Sequence, residues 1–509
     1  MARFGFCGQS YASQSLDANA QLTMNLYLEA DESQQGKSSF ILLPTPGTQA
    51  FATLSDAPLR SWGLHTINGR LFAVAGRTFF EVFANGTSVA RGNNLANDGN
   101  PVSIASSAKQ IMIASSGATY AFNLTTNVFA PIDPANFIGL VSMVGYADGF
   151  FVALIKNSQS YQVSKLLDCT VWDLLSQTTV SVFPDNIIAM LIDHREIWLF
   201  GNTKTIPYYD SGNSDFPFDV TPGGFIEQGI AAQFSPVRLD NSIYWIGGDD
   251  RGARIAWKAD GYHPTRVSNY AIETAWQSYS TVADAVGYAY QDQGHSFWVL
   301  RFPTANKTWV YDVSNGTWHE RGNWNGSTFD AHHSNSHVYA FDKHLVGDPT
   351  SGVIYQMAIP VSNGLGGWKF ATDSADNSGN NGTAIRRVRR SPYVGTAGKW
   401  MFFQCIEFEI EMGLALESGQ GSDPQIMLRW SNDGAKTWSN ENWLSIGKIG
   451  DYLHRARKFG RLGRCWGTRG RVWELTFTET IPLRIIDADL TATDFQPQER
   501  LQKQIGKGA

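Results

Sequence analysis

One local pattern recurs through the first two thirds of the chain and limits its fold more than any other feature. A short apolar strand, a turn and a second strand rich in aromatic residues follow one another at spacings of 39 to 53 residues. The seven copies begin at Gly69, Lys109, Asp148, Arg195, Asn241, Gly294 and Ser336. A propeller blade of four short strands occupies ~40–50 residues, and stacked blades bury the faces that a single sheet leaves open. The pattern therefore predicts a β-propeller of about seven blades, with six to eight allowed by the uneven spacing.

Composition agrees with an all-β fold. Charged residues make up only 17% of the chain, aromatic residues 13%, and there are 49 glycines. This mixture is typical of short strands and many turns, and no long stretch shows the 3.6-residue periodicity of a helix. A β-sandwich, or two stacked sheets with the same spacing by coincidence, is the alternative to a propeller.

The composition and the apolar pattern of the sequence change after the repeats. A polar stretch rich in Gly, Asn, Asp and Ser covers residues 370–383, and strands of alternating apolar and polar residues follow. The predicted organisation is an N-terminal strand and turn segment at 1–60, the propeller at 61–368, a linker at 369–395, a C-terminal antiparallel β-sheet domain of sandwich type at 396–495, and a flexible tail at 496–509.

Several classes of protein are disfavoured. The N-terminus lacks the apolar core of a secretory signal, and the apolar runs are strand-sized, so we expect neither export nor membrane anchoring. The four cysteines are widely spaced and form no Cys-x-x-Cys pair, which argues against a cysteine zinc site. A net charge of −6 argues against a protein that coats nucleic acid.

A short motif in the C-terminal part raises the possibility of sugar chemistry. Residues 431–438, SNDGAKTW, follow the Asp-box pattern Ser-x-Asp-x-Gly-x-Thr-Trp except that Ala435 replaces the glycine. In such a hairpin, formed by Ser431, Asp433, Thr437 and Trp438, we expect Asp433 to accept hydrogen bonds from turn amides and Trp438 to pack beneath the turn. A sialidase would carry several boxes, an arginine trio and catalytic carboxylates, whereas one box is present here, outside the propeller. We predict a structural hairpin and no catalytic residue.

The histidines and the basic runs could be purely structural or could form functional sites. His319, His332, His333, His337 and His344 cluster, but the alternation of DAHHSNSHVYAF would send them to opposite faces of a strand, so we expect core or surface histidines, no metal site and no cofactor.

Arg386, Arg387, Arg389 and Arg390 form a candidate basic patch. A second run contains Arg455, Arg457, Lys458, Arg461 and Arg464. Each run could be a solvated face paired with local acids such as Glu407, Glu409 and Glu411, or could contact phosphates or an acidic partner.

Three stretches resemble one phage family. The family is that of the tail-hub proteins of short-tailed phages, also called packaged-DNA stabilisation or tail nozzle proteins. The stretches that resemble its segments follow the same order along the chain: residues 25–48, residues 344–357 with 382–392, and residues 429–463. The resemblance implies a structural virion protein of which six copies form a ring below the portal and the head-to-tail adaptor. It implies that the ring retains packaged DNA and conducts it at ejection, and that tailspikes or fibres and a needle or plug attach nearby. Such a particle is assembled in the host cytoplasm.

This resemblance bears on the second basic run. DNA that must leave quickly should not adhere to its conduit, and the acidic balance of the chain is consistent with weak contact. We therefore expect Arg455, Arg457, Lys458, Arg461 and Arg464 to serve subunit or adaptor contacts. The alternative function is a carbohydrate-binding or glycan-cleaving propeller.

Overall fold

A computed structural model describes residues 2–495 except 34, 97, 182–183, 249–251, 253, 365–366 and 453–455. The predicted tail at 496–509 lies outside the described residues. Within them there is one α-helix, Tyr270–Gln277, and one 3-10 turn, Pro134–Asn136; all other regular structure is β. In this described part no helix has the length and apolar character that crossing a bilayer would need. Contacts divide the chain into the unit Pro44–Arg386 and a second unit made of the described residues of Met1–Leu43 and Arg387–Ala509.

The unit Pro44–Arg386 contains, among its described residues, seven sets of four antiparallel strands, which confirms the predicted propeller. Blades 1 and 2 consist of Leu59–Ile67, Arg70–Ala75, Thr78–Val82, Ser88–Gly92, and of Ser103–Ser106, Gln110–Ser115, Ala118–Asn123, Phe129–Pro131. Blades 3 and 4 consist of Val141–Ala147, Phe150–Ile155, Ser160–Lys165, Asp168–Thr179, and of Ile187–Asp193, Glu196–Gly201, Thr205–Asp210, Phe218–Val220. Blades 5 and 6 consist of Val237–Leu239, Ser242–Gly247, Ile255–Asp260, His263–Arg266, and of Val286–Asp292, His295–Phe302, Lys307–Asp312, Thr317–Trp324, with Phe329–Ala331 added to the last strand. Blade 7 consists of Ser336–Ala340, Lys343–Gly347, Val353–Ala358 and Gly47–Thr53.

Tight turns explain why the repeat is visible in the sequence. In blade 1, Asn68 and Gly69 join the first two strands with φ of 51° and 71°, the left-handed pair that a two-residue hairpin turn requires. The same pair of positive φ values joins the first two strands of blades 3 to 7, even where neither residue is glycine, as at His194–Arg195. Most copies of the sequence pattern begin at this turn.

The blades bury their faces against each other. Phe72 and Phe79 of blade 1 stack with ring centroids 5.3 Å apart, and both contact Phe122 of blade 2 edge-on. Between blades 5 and 6, the helix Tyr270–Gln277 inserts Trp276, which is fully buried against Trp318. Aromatic rings bury large apolar areas, so these inter-blade layers supply much of the driving force for folding.

The strand Gly47–Thr53 closes the propeller. It lies before blade 1 in sequence but pairs with Val353–Ala358, from Gly47 opposite Ala358 to Thr53 opposite Val353, and so becomes the outermost strand of blade 7. Blade 7 also packs on blade 1 through a shared apolar cluster that includes Leu59 and Leu345. The sequence pattern placed residues 47–53 in a separate N-terminal segment because it contains no sign of a partner some 300 residues away.

The second unit contains two antiparallel sheets, in agreement with the predicted sandwich-like domain. In one, the strand order is Leu26–Ala30, Phe40–Pro44, Ile485–Phe495, Trp400–Ile410, Ala456–Gly460, with Ala2–Arg3 and Arg464–Trp466 pairing at its margins. In the other, the order is Tyr11–Ala12, Ala20–Met24, Arg387–Arg390, Val472–Phe477, Gln425–Ser431, Asn442–Ser445. Phe403 of the first sheet packs edge-on against Trp473 of the second, with centroids 5.4 Å apart.

Four short strands lie between the propeller and Arg387. They pair as Val361–Ser362 with Trp368–Lys369 and as Thr372–Asp373 with Thr383–Ala384. The second hairpin also contacts the closing strand, because Ala50 N donates to Ala375 O at 2.8 Å. Part of the predicted linker 369–395 is therefore paired structure against the propeller.

We predict that the closing strand tolerates no side chain at Gly47. A Cβ there would fall closer to the carbonyl oxygens of Phe370 and Thr372 than real Cβ atoms approach. Overpacking of this kind costs ~1–3 kcal/mol, so Gly47→Ala should lower the midpoint of urea unfolding followed by tryptophan fluorescence. Thr53→Ser, at the exposed end of the same strand, is the control and should leave the midpoint nearly unchanged. An unaltered midpoint for Gly47→Ala would show that closure does not depend on this contact.

Candidate functional site

The Asp-box forms the turn between the strands Gln425–Ser431 and Asn442–Ser445. The Asp433 carboxylate accepts from Ser431 Oγ at 2.7 Å, from Thr437 N at 2.9 Å and from Thr437 Oγ1 at 2.6 Å. A further bond comes from Lys436 N at 3.2 Å. These donors, the Thr437 hydroxyl first, lower the pKa of Asp433 to about 2. The carboxylate is therefore occupied by the turn itself.

Two consecutive residues of the box have left-handed backbones. Gly434 has φ 79° and Ala435 has φ 63°. Glycine is favoured at 434 because side chains rarely adopt this backbone conformation, and a Cβ there would also displace the Asp17 carboxylate. Ala435 adopts the conformation that the usual glycine favours, at a cost of ~1–2 kcal/mol, and its N–H donates to Ser431 Oγ at 2.9 Å.

Trp438 packs on an ionic group that the sequence analysis did not foresee. The guanidinium groups of Arg390 and Arg429 lie 4.9 Å and 4.6 Å from its ring centroid. Both arginines bind Glu474, which is buried in the strand Val472–Phe477: Arg390 Nη2 lies 2.7 Å from one oxygen and Arg429 Nε 2.7 Å from the other. Trp438 shields this Arg–Glu–Arg group and anchors the hairpin on three strands of its sheet.

The first basic run does not form the predicted patch. Arg387 and Arg389 are completely buried, because in the central strand Arg387–Arg390 they point between the sheets. Arg389 donates to Phe6 O at 2.6 Å and Gln21 Oε1 at 2.7 Å, and burial lowers its pKa to about 9. The prediction of a surface patch is wrong for these two residues, because strand alternation places them on the inner face, where their partners include backbone carbonyls. Of the other two, Arg390 binds Glu474 and Arg386 lies 4.3 Å from the ring centroid of Trp324.

The second basic run remains largely at the surface. Arg455 lies outside the described residues, and Arg457 is described only through its backbone, which pairs with Phe408 in the strand Ala456–Gly460. Lys458 Nζ lies 2.8 Å from Glu407 Oε1, one of the local acids proposed from the sequence. Arg461 and Arg464 are exposed, and Arg464 lies 5.1 Å from the ring centroid of Trp400. Their assignment to subunit or adaptor contacts stays a prediction.

The predicted alternation of the histidine segment is wrong at its centre. Residues 332–335 form a connection between Phe329–Ala331 and Ser336–Ala340, and the rings of His332 and His333 stack on each other with centroids 4.4 Å apart. Both are buried, as is His319, and Asp373 lies beside them. His337 and His344 form a separate pair joined by a 3.0 Å hydrogen bond. Nothing local in the sequence pointed to Asp373, which is some 40 residues away.

Trp62 bridges two blades that are not neighbours and was also missed by sequence reasoning. It lies in a bulge of the innermost strand of blade 1, with φ 58°, and its Nε1 donates to Gly287 O of blade 6 at 2.9 Å. Its ring packs edge-on against Phe234. A cavity of about 530 Å³ lined by Phe234, Ser61 and Ser142 lies there, and Trp62 itself lines another of about 230 Å³. The indole of Trp62 therefore links the first strands of blades 1 and 6.

Two family models match consecutive parts of the chain and together cover most of it. The model described as bacteriophage P22 Gp10, beta-propeller, matches residues 6–362, and the model described as bacteriophage P22 Gp10, beta-sandwich, matches residues 386–482. The chain belongs to the bacteriophage P22 Gp10 family. This Gp10-family chain is a structural protein of the phage tail, of the nozzle or stabilisation type, and its place is the virion. Neither model favours the carbohydrate-binding or glycan-cleaving alternative.

Comparison with solved structures gives only distant similarity. The N-terminal domain of Nup159 is 10% identical, covering 66% of this chain and 98% of its own, with a TM-score of 0.37. The computationally designed Ika8 protein is 10% identical, with coverage of 68% and 98% and a TM-score of 0.37. Virginiamycin B lyase from Staphylococcus aureus is 9% identical, with coverage of 58% and 94% and a TM-score of 0.40. Scores this low add nothing to the family assignment. No curated protein matches the chain.

We predict that Asp433 stabilises the hairpin of this Gp10-family chain and carries no chemistry. Asp433→Ala removes four hydrogen bonds at a half-exposed turn, so the sandwich unit should lose ~1 kcal/mol of unfolding free energy. Because the pKa of Asp433 is lowered from 3.8 to about 2, this contribution is complete above pH 3.8 and disappears as the pH falls through 2.

The measurement is urea unfolding of wild type and variant between pH 5 and pH 2, with the exposed Glu441→Ala in the same turn region as control. The gap between wild type and Asp433→Ala should narrow towards pH 2, while the control stays close to wild type. A gap that is constant with pH would contradict the role assigned to the ionised carboxylate. So would glycan hydrolysis by wild type that Asp433→Ala abolishes at unchanged stability.

Proposed function

We propose that several copies of this chain form a closed ring on the tail axis, below the portal and the head-to-tail adaptor, and that the ring holds back packaged DNA and conducts it at ejection. The observation that supports a ring most strongly is the bridge that Trp62 makes between the first strands of blades 1 and 6, where it also packs on Phe234. The major groove of a DNA duplex alone is ~12 Å wide, so the duplex cannot pass a channel bridged by one indole. We therefore propose a conduit that is bounded by several copies and does not run through the centre of one propeller.

The proposed ring is hexameric, as the family resemblance implies. Ring closure needs a heterologous interface, in which one surface patch meets a different patch on the next copy. Tailspikes or fibres and a needle or plug are the further proposed partners, and DNA is proposed to pass without sequence-specific binding. We propose no catalytic activity, since the family is that of a structural protein.

Charge supports a conduit to which DNA adheres weakly. Each phosphate neutralised by Lys or Arg adds salt-sensitive affinity, and several together hold DNA tightly. Arg387 and Arg389 are buried and cannot reach a phosphate, which removes half of the first basic run from consideration. The net charge of −6 also disfavours tight binding of DNA.

The exposed residues of the second run suit protein contacts. Arginine binds carboxylates bidentately, and Arg461 and Arg464 lie exposed near the strand Ala456–Gly460. Lys458 is already paired with Glu407 at the surface, an arrangement that an acidic partner group can join or replace. We therefore assign Arg455, Arg457, Lys458, Arg461 and Arg464 to contacts with neighbouring subunits or the adaptor.

A charge reversal tests this assignment. Arg457→Glu should leave the chain folded, as judged by circular dichroism and thermal unfolding, but should prevent its incorporation into particles, because like charges would face each other at the interface. Lys448→Glu, an exposed reversal in the same unit, is the matched control and should assemble normally. The readout is the amount of this chain in purified particles together with the fraction of particles that retain DNA.

The two ways of failing are informative. If particles carrying Arg457→Glu assemble fully and leak DNA, the residue belongs to the DNA conduit and the assignment to subunit contacts is wrong. If such particles assemble and retain DNA as well as the control does, the run contributes to neither.

A further inference from the structure

The point at which the propeller closes gathers four buried polar side chains from three separate segments. Thr48 belongs to the closing strand, His332 and His333 to the connection between blades 6 and 7, and Asp373 to the hairpin strand Thr372–Asp373 that follows the propeller. Their exposed fractions are 0%, 3%, 8% and 7%. A cluster of this composition in the interior needs a specific reason, because burying polar and ionisable groups costs free energy unless they are bound.

The atoms that face one another are the usual ligands of transition metals. A nitrogen of each histidine and an oxygen of Asp373 all lie within 4.8 Å of one another. His332 Nε2 is 3.9 Å from Asp373 Oδ1, and Thr48 Oγ1 is 3.2 Å from the same oxygen and 3.1 Å from His333 Nε2. Bonds of ~2.0–2.2 Å to a central ion place tetrahedral ligand atoms roughly 3.3 Å apart, so shifts of less than ~1 Å complete the arrangement.

The second ring nitrogen of each histidine, Nδ1, also has a polar neighbour. His332 Nδ1 lies 2.7 Å from Ser334 Oγ, which in turn lies 2.6 Å from the Tyr288 hydroxyl. His333 Nδ1 lies 3.1 Å from the side-chain amide of Asn323. Binding through both Nε2 atoms requires the proton of each ring on Nδ1, with Ser334 Oγ accepting from His332 and the Asn323 amide turned so that its oxygen accepts from His333. The longer contact from Ser334 N to His332 Nδ1, at 3.3 Å, is then lost. Partners of this kind fix the ring orientation of metal-binding histidines.

We propose that His332 Nε2, His333 Nε2 and the Asp373 carboxylate bind one divalent transition-metal ion of the zinc type, with the Thr48 hydroxyl or a water molecule as the fourth ligand. Two imidazoles and a carboxylate suit Zn²⁺ better than Ca²⁺ or Mg²⁺, which prefer oxygen ligands. The stacked rings of His332 and His333 bring both nitrogens to the same side of the connection.

The consequence is structural. The ion would tie the connection between blades 6 and 7 to the hairpin Thr372–Asp373 to Thr383–Ala384, and through Thr48 to the strand that closes blade 7. Ser374 N already donates to Thr48 Oγ1 at 2.8 Å, so the hairpin and the closing strand meet at this point without an ion. A metal that binds only the closed propeller stabilises it by mass action and slows its opening.

The test uses the full chain, freed of metal with a chelator and then titrated with Zn²⁺. We expect one equivalent to bind, measured by calorimetry and elemental analysis, and the melting temperature to rise by a few degrees and fall back when chelator is added. Asp373→Asn and His332→Gln should weaken binding at least ~10-fold and abolish the thermal shift. His344→Gln, which alters a half-buried blade 7 histidine outside the cluster, should behave as wild type.

Absence of stoichiometric binding to the folded wild type would overturn the proposal, and so would equal binding by the two ligand variants. If those variants fail to fold, the Co²⁺ form of the wild type decides. The intense visible absorption of four-coordinate Co²⁺ is expected, and the weak bands of octahedral Co²⁺ would overturn the proposed ligand set. These outcomes do not depend on the proposed function in the tail.

Discussion

The pairing of Gly47–Thr53 with Val353–Ala358 is the interaction on which the rest of the propeller depends. Each blade buries its faces only against its neighbours, so an open series of blades would leave the outer faces of blades 1 and 7 exposed to water. A strand from before blade 1 supplies the last strand of blade 7, and the apolar cluster around Leu59 and Leu345 then joins the two blades. Bringing together segments some 300 residues apart costs conformational entropy. This cost is offset only when the strand has paired with blade 7. The polar cluster of Thr48, His332, His333 and Asp373 lies at the same junction.

Side chains inside both units make bonds that the sequence does not reveal. In the propeller, Trp62 bridges blades 1 and 6. In the second unit, Arg387 and Arg389 are bound by backbone carbonyls, and Glu474 is neutralised by Arg390 and Arg429. These four arginines are therefore bound within the fold.

Sequence reasoning succeeded where the stabilising interactions are local in the chain and failed where they join distant segments. The blades could be predicted because a local device, a two-residue left-handed turn such as Asn68–Gly69 between apolar strands, recurs in most of them. The hairpin of Asp433 could be predicted because its hydrogen bonds reach only four residues along the chain. By contrast, the partners of Arg389, at Phe6 and Gln21, lie more than 360 residues away, and Asp373 is some 40 residues from His333. No local pattern distinguishes an arginine that points to solvent from one that points between two sheets.

The central claim is that this chain is an axial component of the tail and that copies of it together bound the path of DNA. An asymmetric cryo-electron microscopy reconstruction of the mature particle tests it most directly. The account predicts density for the propeller and the sandwich repeated as a closed ring on the tail axis, next to the portal and adaptor, with the DNA path between copies and each propeller centre filled at Trp62. Density for single copies away from the axis, or DNA within the centre of one propeller, would contradict it.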